Sequence, residues 1–354
     1  MGTEQKTIRL ETLDYLRGLA AFGIMIYHYM KWLYIYQGAN SAVGRVSVYG
    51  VETFYVLSGI TLFYVYQSNF NERLNNVNTF YLTRFFRIYP LFWVATLASL
   101  IWHLKPEHPF KLFLNFSGLF GFVAWDKGIA TGVWSIGNEL FYYLFFPFLV
   151  WLFYQRKSIF FAIGIVLIMV HIYFAYFVFN PADTLHNQWS SFVNPLNHFL
   201  FFYLGMCIPM GLEKFRGHNV LAILMLAVGI WLLFIPETGD DEIFLLAGYH
   251  RLLFTLAVML ICTGFYCFSG KLPDIISKPF STLGIISYSV YLLHPLIYHL
   301  LAMAIRQADN YGYFFPRSNL MFITVASLTT LVVSYFVFHY FELYFIKKGK
   351  KLST

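Results

Sequence analysis

Apolar segments of about 20 residues, the length that an α-helix needs to cross the hydrocarbon core of a bilayer, recur along the whole chain. Short polar loops separate them. The segments fall at 13–36, 47–67, 87–104, 132–154, 158–179, 194–212, 219–235, 245–268, 281–305 and 319–345. This pattern predicts an all-α fold, a polytopic membrane helix bundle of about ten transmembrane helices.

Composition supports a membrane protein and excludes several other classes. Hydrophobic residues make up 59% of the chain and charged residues only 12%, whereas soluble domains carry about 25% charged residues. The net charge of +7 is spread over many short loops, so we expect no nucleic-acid partner. Cys207, Cys262 and Cys267 all lie in apolar segments. We therefore expect neither a disulfide framework nor a metal site.

The positions of Lys and Arg predict which side of the membrane each loop faces. An even number of spans places both termini on one side, and cytoplasmic loops carry an excess of Lys and Arg. With the N-terminus inside, the cytoplasmic face collects Lys6, Arg9, Arg17, Arg73, Arg84, Arg87, Arg156, Lys157, Lys214, Arg216, Lys271, Lys278, Lys347, Lys348, Lys350 and Lys351. We therefore predict an N-in and C-in topology, with a transmembrane domain at 1–346 and a basic cytoplasmic tail at 347–354.

The first apolar segment carries ionisable residues that a simple membrane anchor would not need. Arg17 and His28 are eleven residues apart, so a helix turns three times plus roughly 20° between them and rises roughly 16 Å. Both side chains therefore face the same way, and Asp14 lies one turn before Arg17 on the same stripe. Ionisable groups at such depths normally face a bundle interior or a wet cavity, which makes them functional candidates.

His28 is the candidate catalytic residue, although a buried histidine that serves packing is the alternative. A neutral imidazole in a protected cavity can take a proton from a hydroxyl, which is the work of a general base. Glu139 lies a few residues into a later span and can orient such an imidazole, as a carboxylate does in a catalytic triad. Glu52 is the rival partner. A structural hydrogen bond between helices remains the alternative for either carboxylate.

Two arginines in the third segment suggest an anion site. Arg84 and Arg87 lie one turn apart at the predicted cytoplasmic end, where they serve either as topology anchors or as bidentate ligands of phosphates. Arg17 lies at the same level and can join them. His294 lies near mid-depth in a later span, where it can bind substrate or satisfy a backbone carbonyl freed by Pro295. No Gly-rich nucleotide loop, zinc motif or serine-hydrolase elbow is present.

Five stretches in order along the chain carry a family resemblance: LDYLRGLAAFGIMIYH, GVETFYVLSGI, TRFFRIYP, VWSIGNELFYY and ISYSVYLLHPLI. Together they resemble the acyltransferase 3 family of bacterial integral-membrane acyltransferases. The family commonly has Asp where Glu52 stands. It also commonly has a Ser-Val-Glu run where Ile136, Gly137, Asn138 and Glu139 stand, which makes the role of Glu139 less secure.

The resemblance implies transfer of an acyl group, usually acetyl, from cytoplasmic acyl-CoA to a hydroxyl of an extracytoplasmic glycan or glycolipid. It implies that His28 is catalytic and that Arg84 and Arg87 bind the donor. Acyl-CoA would be a substrate, with no cofactor bound permanently. The expected location is the bacterial cytoplasmic membrane, with the lipid bilayer and an envelope-biosynthesis protein as partners.

The motifs place further candidates around these residues. We predict that Tyr89 joins Arg17, Arg84 and Arg87 in binding the donor. Substrate or support roles are predicted for Asp14, Glu52, Ser58, Trp134, Ser135, Tyr288 and His294. Two other classes of function use similar residues: a proton-coupled transporter or flippase of an envelope glycan or metabolite, and a structural subunit of an envelope complex.

Overall fold

The computed structural model describes residues 10–36, 38–70, 74, 77–103, 106–234, 237–270, 272–311 and 318–353. Within these ranges, all regular secondary structure is helical, which confirms the all-α prediction. Some positions used for the topology and domain predictions lie outside the described residues: Lys6, Arg9, Arg73, Lys271 and the two chain ends at 1–9 and 354.

The helices follow one another with short connections. Their bounds are α1 Glu11–Trp32, α2 Ala42–Phe70, α3 Val77–His103, α4 Pro109–Ser117, α5 Phe120–Val123, α6 Val133–Gln155, α7 Lys157–Tyr173, α8 Trp189–Phe192, α9 Pro195–Leu212, α10 Asn219–Phe234, α11 Gly248–Cys267, α12 Asp274–Ile285, α13 Ser287–Asn310, α14 Asn319–Val337 and α15 Leu343–Leu352. Turns of π-helix at Phe174–Val178 and Phe338–Glu342 extend α7 and join α14 to α15, and 3₁₀ turns form at Glu213–Phe215 and Glu242–Leu245.

Eight helical segments of the described chain are long and apolar enough to cross a membrane: Ala42–Phe70, Val77–Trp102, Val133–Gln155, Lys157–Val178, Trp189–Phe215, Gly248–Cys267, Ser287–Ala308 and Asn319–Leu352. This confirms a polytopic helix bundle. The other two predicted spans correspond to α1, which has 22 residues and several charges, and to α10, which has only 16 residues. The count of about ten and the N-in orientation therefore stay predictions.

One predicted window joins two separate helices. The apolar pattern at 281–305 runs without interruption, but α12 ends at Ile285 and α13 begins at Ser287. Hydropathy does not detect this break because both helices present apolar residues on either side of it. As a result α12 forms its own element, which packs along α1, and α13 packs against α1 and α14.

Two glycines allow α1 and α12 to approach closely. A Cβ atom on Gly18 would lie 2.7 Å from the backbone nitrogen of Gly284, and a Cβ atom on Gly284 would meet the backbone of Asp14. Small residues at such crossings let helix backbones pack against each other in membrane proteins. This contact fixes the end of α1 that carries Asp14 and Arg17.

Replacing Gly284 with alanine is expected to destabilise the bundle, because the added methyl group would overlap the α1 backbone. Overpacking of this kind typically costs about 1–3 kcal/mol. Thermal unfolding of the purified protein in detergent should show a lower midpoint. Gly211→Ala is the matched control, since no atom lies within 4 Å of a Cβ at that position in α9. Equal midpoints for the two variants would contradict the proposed contact.

Candidate active site

Two cavities in the described bundle contain most of the predicted site residues. The first, which we call the arginine cavity, has a volume of about 330 Å³ and is lined by Arg17, Arg84 and Arg87. The second, the histidine cavity, has a volume of about 640 Å³ and is lined by His28. The stripe predicted on α1 thus faces the interior, with Arg17 in one cavity and His28 in the other.

The two cavities share part of their lining. Val51 of α2 and Tyr291 of α13 line both of them. Ser58, Ser135, Glu139 and Tyr288 line the arginine cavity alone, and Trp134 lines the histidine cavity alone. Val51 and Tyr291 therefore form the wall where the two cavities meet.

Asp14 holds Arg17 in the arginine cavity. Nη1 of Arg17 donates to Oδ1 of Asp14 at 2.8 Å, and Nη2 donates to Oγ1 of Thr61 at 3.2 Å. The pair follows from the helical period, because residues three apart are neighbours on a helix surface. Asp14 and Glu11 also supply negative charge to the first turn of α1, where the helix dipole favours it.

The arginine cavity carries excess positive charge. Arg84 donates from Nη2 to the hydroxyl of Tyr66 at 3.2 Å, and its guanidinium lies over the Tyr66 ring. Neither Arg84 nor Arg87 forms a salt bridge with a carboxylate among the described residues. Three arginines line this cavity, and a net positive charge remains after the carboxylates of Asp14 and Glu139 are counted, so the cavity is suited to an anionic ligand.

Glu139 lies in the arginine cavity and does not contact His28. Its carboxylate accepts hydrogen bonds from Ser58 Oγ at 3.1 Å and from the hydroxyl of Tyr143, while Ser58 and Tyr143 are 2.9 Å apart. These bonds tie α6 to α2. The preferred assignment of Glu139 as the partner of His28 is therefore wrong, because α6 presents this carboxylate to the other cavity.

Glu52 is also engaged elsewhere. Its Oε1 lies 2.6 Å from Nδ1 of His198 on α9, and both side chains are almost completely buried. The other nitrogen of His198 bonds the carbonyl of Phe192. The rival assignment of Glu52 to His28 is wrong as well. Glu52 instead joins α2 to α9, beneath Trp134, whose ring centroid is 5.4 Å from that of His198.

The partner of His28 is a second histidine. Nδ1 of His28 lies 2.9 Å from Nε2 of His294, and Nδ1 of His294 lies 3.1 Å from the carbonyl oxygen of Val290. That carbonyl can only accept, so Nδ1 of His294 carries a proton. With both rings neutral, Nε2 of His294 then accepts from Nδ1–H of His28. This assignment leaves Nε2 of His28 unprotonated, as a general base requires.

Stacking and hydrogen bonds fix the orientation of this histidine pair. The Trp32 ring stacks on His28 with centroids 5.1 Å apart. The Tyr29 hydroxyl donates to the backbone carbonyl of His294 at 3.2 Å. His294 was predicted either to bind substrate or to satisfy a backbone carbonyl near Pro295. In the structure Nδ1 of His294 donates to the carbonyl of Val290, and Nε2 of His294 accepts from His28.

The mouth of the histidine cavity contains a charged cluster that the sequence did not reveal. Lys31 donates to Glu242 at 2.7 Å, and Tyr27 donates to the same oxygen at 2.9 Å. Burial raises the pKa of Glu242, but the bond and charge of Lys31 outweigh it, and the net pKa is lowered. The sequence does not indicate this cluster, because Glu242 lies in a distant acidic loop. His186 and Trp189 also line the cavity.

Two other predicted residues have clear positions. Tyr288 donates to the carbonyl of Ile88 at 2.7 Å and so links α13 to α3 beside the arginine cavity. Tyr89 donates to the carbonyl of Ser117 at 2.8 Å and stacks on Phe85, and it does not line the arginine cavity. Its role in donor binding stays a prediction, and in the structure its face of α3 packs on the end of α4.

Comparison with known proteins supports one family. No curated protein and no solved structure matches the chain. The family model for the acyltransferase domain, acyltransferase 3, matches residues 10–339, and this range contains both cavities and every predicted site residue. The chain therefore belongs to the acyltransferase 3 family and is a multi-pass membrane acyltransferase.

Proposed function

We propose that this protein transfers an acyl group, in the simplest case acetyl, from acyl-CoA to a hydroxyl of an extracytoplasmic glycan or glycolipid. One observation supports the proposal most directly. The arginine cavity and the histidine cavity, which contains the proposed general base His28, share a wall formed by Val51 and Tyr291. The arginine cavity lies at the end of the bundle predicted to be cytoplasmic. The bacterial cytoplasmic membrane is the proposed location.

The chemistry of the arginine cavity suits the donor. Coenzyme A carries phosphates that lipid would exclude, and the guanidinium groups of Arg84 and Arg87 can bind them at the mouth of the arginine cavity. Arg17, held by Asp14, adds a third cation. The slender pantetheine arm can then carry the thioester along the cavity toward Val51 and Tyr291. The cations would bind the donor equally before and during the reaction, so they act mainly on KM.

The histidine cavity suits a sugar hydroxyl. Trp134 and Trp189 supply aromatic surface, with ring centroids 6.0 Å apart, and the same cavity presents polar side chains from the loops around Asp126, Thr184 and Asp241. Those loops lie on the side predicted to be extracytoplasmic. Aromatic faces combined with a few placed polar groups are typical of sites that bind small polar molecules.

The proton positions in the histidine pair support the following reaction. Nε2 of His28 removes the proton from the acceptor hydroxyl, and the oxygen attacks the thioester carbonyl. The tetrahedral intermediate collapses with cleavage of the C–S bond, and the proton from His28 passes to the departing thiolate. His294 accepts from Nδ1–H of His28 throughout and so stabilises the transient imidazolium. An acyl-histidine intermediate is the alternative that kinetic bursts would reveal.

His28→Ala is expected to lower kcat by about 10²–10⁴-fold, since it removes the general base. Label transfer from radiolabelled acetyl-CoA to a crude envelope glycan fraction would measure this, using purified protein reconstituted in nanodiscs. Binding of acetyl-CoA should be unchanged. His339→Ala is the control, because that side chain is exposed and bonds only its own helix backbone. Equal transfer by wild type and His28→Ala would exclude the base role of His28, whereas no transfer by wild type would favour a structural or transport function.

His294→Phe should lower kcat by about tenfold, because the ring keeps its volume but His28 loses the acceptor that fixes its tautomer. The loss should be smaller than that of His28→Ala in the same assay. KM for acetyl-CoA should not change, since His294 lines neither the arginine cavity nor its mouth. A normal kcat would show that the pair serves packing.

Arg84→Ala and Arg87→Ala should each raise KM for acetyl-CoA by about tenfold or more, because each removes a charged hydrogen bond to the phosphates of the donor. Acetyl-pantetheine lacks the nucleotide phosphates, so its KM should change little. The exposed Arg306→Ala is the control. If KM rises equally for acetyl-CoA and acetyl-pantetheine, the two arginines stabilise the structure and do not bind the phosphates.

A further inference from the structure

Tyr291 occupies the only turn of α13 that reaches both cavities in the described bundle. It lies one helical turn before His294, and the two ring centroids are 6.1 Å apart. The side chain is 8% exposed, and Phe54 packs edge-on against its ring. Its hydroxyl therefore sits close to the place where a donor thioester and an acceptor oxygen would have to meet.

The hydroxyl of Tyr291 belongs to a group of three oxygens with too few hydrogens for all its contacts. It lies 2.7 Å from Ser135 Oγ and 3.0 Å from the carbonyl oxygen of Gly132. Ser135 Oγ also lies 2.9 Å from that carbonyl oxygen. The two hydroxyl groups thus have two hydrogens for three short oxygen–oxygen contacts.

This arrangement leaves one hydroxyl hydrogen that the carbonyl of Gly132 does not need. The carbonyl of Gly132 needs a single hydrogen bond, and Ser135 can supply it from its hydroxyl at 2.9 Å or from its backbone N–H at 3.3 Å. When Ser135 does so, the hydrogen of Tyr291 is free to rotate toward the cavities. A tyrosine hydroxyl held in this way can donate to another oxygen without leaving a buried carbonyl unsatisfied, because it exchanges its hydrogen bond with Ser135 for one to the ligand.

We propose that Tyr291 donates this hydrogen bond to the thioester carbonyl oxygen as it becomes an oxyanion. The inference rests on the proposed acyl transfer. Negative charge develops on that oxygen in the tetrahedral intermediate, and a preorganised donor there stabilises the transition state more than the ground state. Tyr291 keeps its proton throughout, while the acceptor O–C bond forms and the C–S bond breaks. Ser135 is a positioning residue that holds Gly132 when Tyr291 turns.

Tyr291→Phe tests this assignment, because it removes the hydroxyl and keeps the ring that packs on Phe54. Loss of one oxyanion donor should lower kcat by about 100-fold, with KM for acetyl-CoA and the thermal midpoint unchanged. Tyr298→Phe is the matched control, since Tyr298 is a similarly buried tyrosine on the same helix that lines neither cavity. It should keep the kcat of the wild type.

Ser135→Ala provides a second test with a smaller side chain. The Tyr291 hydroxyl then loses the neighbour at 2.7 Å that positions it and keeps its contact with the Gly132 carbonyl, so kcat should fall several-fold, again at constant KM. Each outcome separates this inference from the proposed function. If wild type transfers label and both variants match it in kcat, the assignment of Tyr291 is overturned while acyl transfer stands. A raised KM at normal kcat would overturn it too, because the hydroxyl would then bind the ground state. If wild type transfers no label, the proposed function itself fails.

Discussion

The cost of burying an uncompensated polar group in hydrocarbon is the constraint on which this structure depends. Every ionisable side chain within the spans must find a partner or a cavity. Arg251 shows the first solution: it is completely buried and donates to both the side chain and the backbone carbonyl of Asn197. Glu52 and His198 show it again across α2 and α9. These pairs connect helices, and their residues line neither of the two cavities.

Arg84, Arg87 and His28 show the second solution, since each lines a cavity. This difference separates structural from functional polar residues more clearly than depth in the membrane does. Glu52 and His28 both lie in helices of the bundle, yet only His28 lines a cavity, where its Nε2 forms no hydrogen bond to the described residues.

A neutral imidazole as the partner of His28 has chemical consequences. A carboxylate would hold the tautomer and also attract the imidazolium strongly, whereas His294 supplies the hydrogen bond without a negative charge. The base is correspondingly weaker and depends more on stabilisation of charge at the reacting carbonyl. In the proposed mechanism the wall between the cavities provides that stabilisation. There Tyr291 and Ser135 share the carbonyl of Gly132.

The sequence by itself determined the all-α membrane class, the family and the common face of Asp14, Arg17 and His28, because hydrophobic length and helical period are local properties. It also grouped Arg17 with the pair Arg84 and Arg87. Only the tertiary structure decided the partner of His28, which is 266 positions away, and sent Glu139 to the other cavity. Such pairings depend on the rotation and depth of one helix against another, and these are set by packing contacts such as Gly18 with Gly284, which hydropathy does not record.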